Sequence, residues 1–485
     1  MEKSFEKKGL TPKSENISEW YQDVVLKAGL ADYSDVRGCM IIRPYGYAIW
    51  ENIQKTLDVW FKEDGVENAY FPLFIPMSLL AKEKEHLKGF SPELAVVTHG
   101  GGEELAEPYA VRPTSETIMY KSFKKWISSY RDLPLKINQW CNVVRWEKRT
   151  YLFLRTTEFL WQEGHTVHIT EAEAEAMMFK ALRWYQKIYE EYLALSPYVG
   201  RKSENEKFAG AKTTYSIEAV MPNGKSLQAA TSHNLADNFS KVFEIEFTDD
   251  QGMKHNPFQT SWGLSTRAIG GLILSHGDDS GLILPPQIAP VQVVILPVFS
   301  KAGTNNTEIR AKAEQLANEL KLAQIRVTLD ADETHSLGYK INAWELKGVP
   351  LRLELGEREM AENLVSATRR DNFEKLKFNQ QNLTNAVKQA LTDIQASLYA
   401  RNKVLKTELT KEVKDYTAFK QVLREQKVFV RVFWCEDKAC EQQIKEETKA
   451  TTRVLELEHI DQNEQEKCFH CGKSSRRQWL FAQSY

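Results

Sequence analysis

Leu284-Pro285-Pro286-Gln287-Ile288-Ala289-Pro290 divides this chain. Proline fixes φ and has no N–H to give a helix or a sheet ladder, so three prolines in this stretch make a stiff joint. The two sides of the joint have different patterns. Before it, long amphipathic segments alternate with short aromatic-rich strands. Ile49, Ile53, Leu57 and Phe61 at helical spacing predict a helix over 47–62, ended by Gly65. Residues 68–76 then read as one strand closed by proline. Beyond the joint, an apolar strand (291–298) precedes a helix carrying Ile309, Ala313, Leu316 and Leu320. A strand at 325–329, a helix through 343–346 and a strand at 350–355 follow. Such alternation predicts a small α/β unit with a largely parallel sheet. From about Asn402 the chain is helix-like and charged. A length of 485 residues gives a prior of about three domains, drawn here at 1–285, 286–400 and 401–485.

Three segments before the joint carry chemistry: Arg112-Pro113-Thr114-Ser115-Glu116-Thr117, Arg145-Trp146-Glu147 and Arg155-Thr156-Thr157-Glu158-Phe159. Two arginines flank a carboxylate, and an aromatic ring follows the second. Cations suit phosphates, a flat ring suits a base, and acids suit a metal or donor groups, so the set fits a polyphosphate bearing adenine. At the other end, Cys435-x4-Cys440 and Cys468-x2-Cys471 form two close-spaced pairs. In a reducing compartment four such thiols suit a closed tetrahedral Zn²⁺ site, structural rather than catalytic. His470 is adjacent, but the four cysteines make the simpler set.

The arginine segments resemble the second signature motif of class II aminoacyl-tRNA synthetases, Arg-x-Glu, a loop, then Arg-x-x-x-Phe. Arg112–Thr117 is similar to the amino-acid recognition loop of class IIa members, and the likeness is nearest to the prolyl-tRNA synthetase family of archaeal-eukaryotic type. Trp161-Gln162-Glu163-Gly164-His165, Lys207-Phe208-Ala209-Gly210-Ala211 and Gln228-Ala229-Ala230-Thr231-Ser232-His233 match further strings of that family. The last of these reads as a strand end leading into a turn. Trp262-Gly263-Leu264-Ser265-Thr266-Arg267 is similar to motif 3, with Ser265 where threonine is more usual. The predicted helix, the strand after it and Pro72 resemble motif 1, which builds the dimer interface.

The resemblance implies a fold: an α+β catalytic domain on a central antiparallel sheet, an α/β anticodon-binding domain and a small zinc-binding C-terminal α/β domain. It also implies an activity, the activation of proline with ATP and its transfer to tRNA(Pro). Arg145 and Arg267 would be catalytic, with Arg145 bridging the substrate carboxylate and the α-phosphate. ATP would meet Arg145, Glu147, Arg155, Thr156, Phe159, Gln228, Thr231, Ser265 and Arg267, with Mg²⁺ held by Gln228. Proline offers a secondary ammonium and a compact apolar ring, so its site needs acceptors and a small apolar wall. Thr114, Glu116, Arg145, Trp161, Glu163, His165, Phe208, His233 and Gly263 would form it. Trp344-Glu345-Leu346-Lys347-Gly348-Val349-Pro350-Leu351-Arg352 resembles the anticodon-binding segment, with Glu345, Lys347 and Arg352 as readers. The family's usual Gly-Arg before a final Ser-Tyr is Ala482-Gln483 here.

Met1–Lys8 lacks the apolar core of a signal peptide, and no apolar run approaches the ~18 residues that span a bilayer. A cytoplasmic homodimer without membrane contact is expected. A net charge of −2 means that tRNA binding must use local basic surfaces rather than a global field. Rival readings are another class IIa synthetase or a non-catalytic synthetase-like tRNA-binding protein. Arg145, Arg155 and Arg267 argue against the second, because relatives without catalysis tend to lose the phosphate arginines. No stretch between His165 and Trp262 is left over for an inserted editing domain of the bacterial type.

Overall fold

A computed structural model describes residues 9–81, 94–300 and 305–485. Its centre is an eight-stranded sheet in the order Leu455–Glu456, Tyr198–Arg201, Thr213–Val220, Ser226–Ala236, Phe258–Ser265, Glu158–His168, Leu135–Val144, Glu67–Asn68. Every neighbouring pair is antiparallel except the last. The helix Glu171–Lys187 packs on two central strands. Thr170 and Glu173 close a capping box at its start, and Met177, Met178, Ala181, Leu182 and Tyr185 recur at helical spacing on its buried face. The helix predicted over 47–62 runs Pro44–Glu63, with proline at its first turn and Ile49, Ile53, Leu57 and Phe61 fully buried.

The strand expected over 68–76 forms in two pieces. Glu67–Asn68 joins the large sheet, and Phe74–Pro76 pairs with Glu103–Val111 in a separate three-stranded sheet. Between them Phe71 N–H donates to the Gln139 side chain rather than to a strand, and Pro72 has no N–H to continue the ladder.

Past the proline joint lies a five-stranded sheet in the order Val327–Leu329, Val293–Pro297, Leu351–Leu355, Leu364–Arg369, Lys375–Asn379. Only the first three strands are parallel, so the sheet is mixed rather than largely parallel. The chain between Leu364–Arg369 and Lys375–Asn379 is too short for a crossover, which enforces an antiparallel return. The helix Leu383–Glu408 covers this core with Leu383, Val387, Leu391, Ile394 and Leu398. Its last turn runs on into the next core through Leu405, so the division drawn at 400 falls inside one helix.

The C-terminal module has a four-stranded sheet, Thr410–Glu412, Phe429–Trp434, Arg477–Ala482 and Thr451–Thr452, flanked by the helices Tyr416–Glu425 and Lys438–Thr448. Its core takes in Tyr198 and Val220 from the large sheet. Leu455–Glu456 leaves the module to become the edge strand of that sheet, pairing with Arg201 and Gly200. A Cβ on Gly200 would lie 2.1 Å from Leu455 O, so only glycine admits this approach. Gly200→Val is therefore expected to destabilise the protein by about 1–3 kcal/mol and to make residues 401–485 the first to be cut in limited proteolysis. An unchanged melting curve and cleavage pattern would refute the edge pairing.

Candidate active site

Three adjacent strands of the large sheet, Glu158–His168, Phe258–Ser265 and Ser226–Ala236, line a cavity of about 260 Å³. Strand alternation puts Trp161, Glu163 and His165 on the cavity face and Gln162 on the other, where it accepts from Tyr185 Oη at 2.5 Å. Ser226–Ala236 is one continuous strand, so the turn expected within 228–234 comes only after it, at Asp237. The strand contains a bulge instead: Ala230 pairs with Ile217, whereas Gln228 pairs with Glu218, leaving Ala229 extra. That extra residue shifts the alternation, so Gln228 faces the cavity together with Thr231 and His233.

One end of the cavity is acidic. Glu116 starts the helix Glu116–Trp126 and accepts from Thr114 Oγ1. Glu163 accepts from Ser115 Oγ at 2.5 Å, Gln139 Nε2 at 2.9 Å and Cys141 Sγ at 3.4 Å, and lies 3.2 Å from His165 Nε2. Tyr120 Oη meets the other ring nitrogen of His165 at 3.1 Å. Burial alone would depress the pKa of His165, but the Glu163 hydrogen bond and the charges of Glu116 and Glu163 outweigh it and hold the imidazole above its ordinary value. Burial would likewise raise Glu163, yet His165, Ser115 and Gln139 hold it below its usual range. Burial and the charge of His165 push His233 down to about 3. His233 is thus a neutral ring, 2.9 Å from Thr214 Oγ1 and 4.6 Å from the Phe208 ring centroid. Phe208 and Trp161 supply apolar walls, and Gly263 supplies floor: a Cβ there would lie 3.2 Å from Gln162 O.

Beyond Arg145, which borders both the cavity and its side cleft, the other end is cationic. Arg145 is clamped by its N–H to Thr157 O (2.8 Å) and by Nε to Pro113 O (3.0 Å). Its guanidinium carbon lies 5.6 Å and 5.4 Å from the Phe159 and Trp161 rings. Glu147 and Arg155 pair across the loop at 2.8 Å. Arg267 opens the helix Arg267–His276 and ties loop to strand, Nε to Leu154 O at 3.0 Å and Nη1 to Gln228 O at 3.3 Å. A side cleft adds Thr156 and Ser265 to Arg145, Glu147, Arg155, Phe159 and Arg267. Every residue expected at the ATP and amino-acid sites therefore lines this cavity or its cleft. The arrangement suits a polyanion at one end and a cation at the other.

Motif reading missed Lys202, Glu206, Thr214 and Ser261, which also line the cavity, and the buried Glu218 behind Lys202. The polar alternation Thr214, Ser216, Glu218 in an otherwise apolar strand was the available signal.

Glu345, Lys347 and Arg352 gather at the second unit. Arg352 is held by Glu345 at 2.8 Å, Glu354 at 2.9 Å and Thr368 at 3.3 Å. Lys347 Nζ sits 4.7 Å from the Trp344 ring and 5.7 Å from that of Tyr45. In the C-terminal module Cys435, Cys440, Cys468 and Cys471 bring four sulfurs within 4.8 Å of one another. Two of the separations are 3.5 and 3.9 Å. A tetrahedron of thiolates around zinc has edges of about 3.8 Å, so the donor set fits that ion. His470 Nδ1 lies 3.3 Å from Cys440 Sγ, beside this set.

Residues 98–276 match the family model described as tRNA synthetase class II core domain (G, H, P, S and T). Residues 292–390 match an anticodon binding domain, and 416–485 the C-terminal domain of prolyl-tRNA synthetase. A proline–tRNA ligase of Chlorobium phaeovibrioides is 51% identical over 483 residues, covering 98% of this chain and 99% of the relative. One from Alkaliphilus oremlandii is 49% identical over 477 residues, 98% of each. One from Borrelia garinii is 48% identical over 485 residues, 98% of this chain and 99% of the relative.

The Glu163–His165 pair has a pH window. His165 is raised above 6.5, so its contribution is complete below 6.5 and lost as pH rises through the raised value. Glu163 is depressed below 4.5, so its contribution is complete above 4.5 and lost as pH falls. The Tm difference between wild type and His165→Gln is expected to be widest between these limits, near pH 6, and to shrink towards about pH 9. A difference independent of pH would show that the pair is not ionic.

Proposed function

The chain belongs to the proline–tRNA ligase family of class II aminoacyl-tRNA synthetases, and from that premise we propose how its residues divide the work. It activates proline with ATP to prolyl-adenylate, releasing pyrophosphate, and transfers the prolyl group to the 3′ end of tRNA(Pro). The observation that carries the residue assignment is one cavity with carboxylates at one end and guanidiniums at the other.

The proline ammonium is held by Thr114, Glu116 and the Glu163–His165 pair, and its ring by Trp161, Phe208, His233 and Gly263. Arg145 lies between the two ends, where it draws the substrate carboxylate towards the α-phosphate. In-line attack needs no covalent enzyme intermediate, so positioning and charge stabilisation carry the rate. The adenylate end falls to Glu147, Arg155, Thr156, Phe159, Thr231, Ser265 and Arg267, with Phe159 stacked on adenine. Mg²⁺, when bound, neutralises phosphate charge; the Gln228 side chain supplies a neutral oxygen that such a hard cation accepts beside phosphate oxygens. Zn²⁺ on Cys435, Cys440, Cys468 and Cys471 is structural, with no open ligand position needed.

Residues 1–285 form the catalytic part, 286–400 the anticodon-binding part and 401–485 the zinc-binding part in this reading. Glu345, Lys347 and Arg352 read the anticodon, arginine suiting guanine O6 and N7. Their clustering beside Trp344 supports this. A homodimer through the helix Pro44–Glu63 and the segment after it is supported by the exposed rings of Tyr70 and Phe74. The cytoplasm is the proposed compartment, because charged tRNA is consumed there by translation. Among the described residues no helix is long and apolar enough to cross a membrane.

ATP–pyrophosphate exchange measured with each of the twenty amino acids is expected to be driven best by proline; a better substrate would overturn the assignment. In the same assay Arg145→Ala should cost roughly 10²–10³ in rate with unchanged circular dichroism. Near-normal exchange would move the reacting centre elsewhere.

Mischarging follows from the same pocket. A missing methylene is worth only about 1–3 kcal/mol of discrimination, so alanine and cysteine enter. Residues 166–261 supply strands and helices of the catalytic sheet and its packing, leaving no separate hydrolytic unit. The enzyme is expected to form alanyl-tRNA(Pro) and not to hydrolyse it. Rapid enzyme-dependent deacylation of added alanyl-tRNA(Pro) would refute this.

A further inference from the structure

Behind the ATP end of the cavity lies a buried ion cluster drawn from two modules. Glu218 has no exposure; one oxygen accepts from Lys202 Nζ at 2.9 Å and Ser216 Oγ at 2.8 Å, the other from Ser226 Oγ at 2.5 Å. Arg453 of the C-terminal module reaches the second oxygen at 3.7 Å and Glu206 at 3.3 Å. Arg453 is itself pinned, by Nε to Thr452 O at 2.9 Å and by Nη2 to Thr451 Oγ1. It stands where the chain passes from the module's own sheet at Thr451–Thr452 to the edge of the catalytic sheet at Leu455–Glu456. The C-terminal tail approaches the same point: Ser226 N–H donates to Gln483 O at 2.8 Å, and Tyr485 N–H to Ser226 O at 3.2 Å.

Glu218 is the cross-strand partner of Gln228, and Arg267 holds the Gln228 carbonyl. A carboxylate here lies directly behind Lys202 and Gln228, which line the end of the cavity assigned to the polyphosphate. Two cations, Lys202 and Arg453, neutralise it. Lys202 is also part of the cavity lining, so it cannot move to compensate without changing the wall.

We propose that Arg453 is a positioning residue for the activation step: from the C-terminal module it neutralises Glu218, and so fixes Lys202 and Gln228 at the ATP end of the active site. This builds on the proline–ATP reading above. Without the guanidinium, Glu218 keeps one cation, its excess charge opposes the polyphosphate, and Lys202 is drawn away from the cavity wall. The defect falls on ATP and leaves the proline end, with its own Glu163–His165 pair, intact.

The test is ATP–pyrophosphate exchange by the full-length enzyme, with KM for ATP and for proline measured separately. Arg453→Met is expected to raise KM for ATP about tenfold, the size of one unneutralised charge at this range, with KM for proline little changed. Arg453→Lys should recover most of the loss. So should the charge-balanced double variant Glu218→Gln with Arg453→Met, which a merely structural role would not rescue. Unchanged KM for ATP in Arg453→Met, or equal rises for both substrates, would overturn the proposal. If Arg453→Met does not fold, the double variant decides: a folded protein with near wild-type KM for ATP supports the proposal, and a failure to fold or a tenfold rise sinks it. Absence of proline-dependent exchange in the wild type would instead overturn the functional reading itself.

Discussion

A carboxylate taken out of water inside a sheet is costly unless cations and donors surround it, and the cavity face of the large sheet carries two, Glu163 and Glu218. Each has a cation of its own and a set of hydroxyl or amide donors. Glu163 takes His165, Ser115 and Gln139; Glu218 takes Lys202, Arg453, Ser216 and Ser226. Removing one partner of such a pair typically costs about 3–5 kcal/mol. The residues around the cavity are therefore constrained by charge as much as by shape. That constraint makes the site rigid before substrate arrives.

In the proposed reading the same arrangement orients the substrates. An amino acid is a cation and an anion joined by one carbon, and ATP brings further negative charge. With Glu116 and Glu163 at one end and Arg155 and Arg267 at the other, the proposed reading has one direction of binding that satisfies both. Arg145, assigned the crossing point in that reading, has its guanidinium near the Phe159 and Trp161 rings. The aromatic contacts hold the guanidinium in place through the ring quadrupoles.

How much of this was legible in the sequence depended on whether contacts lie within strings. Arg145, Glu147, Arg155 and Phe159 belong to one hairpin, so their order along the chain already encodes their proximity, and the family strings around Glu163, Phe208, Thr231 and Arg267 supplied the rest. The helix Pro44–Glu63 was legible because its apolar period is long and clean. The bulge at Ala229 was not, since a period-2 pattern cannot show one extra residue. The mixed sheet of the second unit was misread because its two antiparallel strands, Leu364–Arg369 and Lys375–Asn379, were not read as strands; the three that were are parallel as expected. Glu218, Lys202 and Arg453 stayed hidden for another reason: Arg453 meets Glu218 across 235 positions (453 minus 218), and no local string records such a meeting.

The C-terminal module belongs to the catalytic sheet rather than hanging beside it. An exposed sheet edge invites pairing with other chains, and Leu455–Glu456 covers the Tyr198–Arg201 edge while Gly200 lets the backbones close. A second path starts at the cysteine cluster. Glu441, next to Cys440 on the helix Lys438–Thr448, accepts from Ser203 Oγ at 3.0 Å, and Ser203 adjoins Lys202. The four thiols, whose spacing fits a metal, include one on this helix, the helix meets a serine, and the serine flanks a lysine of the cavity wall. The logic is physical: a small module with a modest core would gain rigidity from a metal on its four cysteines. It would pass that rigidity through short polar contacts to a sheet whose buried charges tolerate little movement.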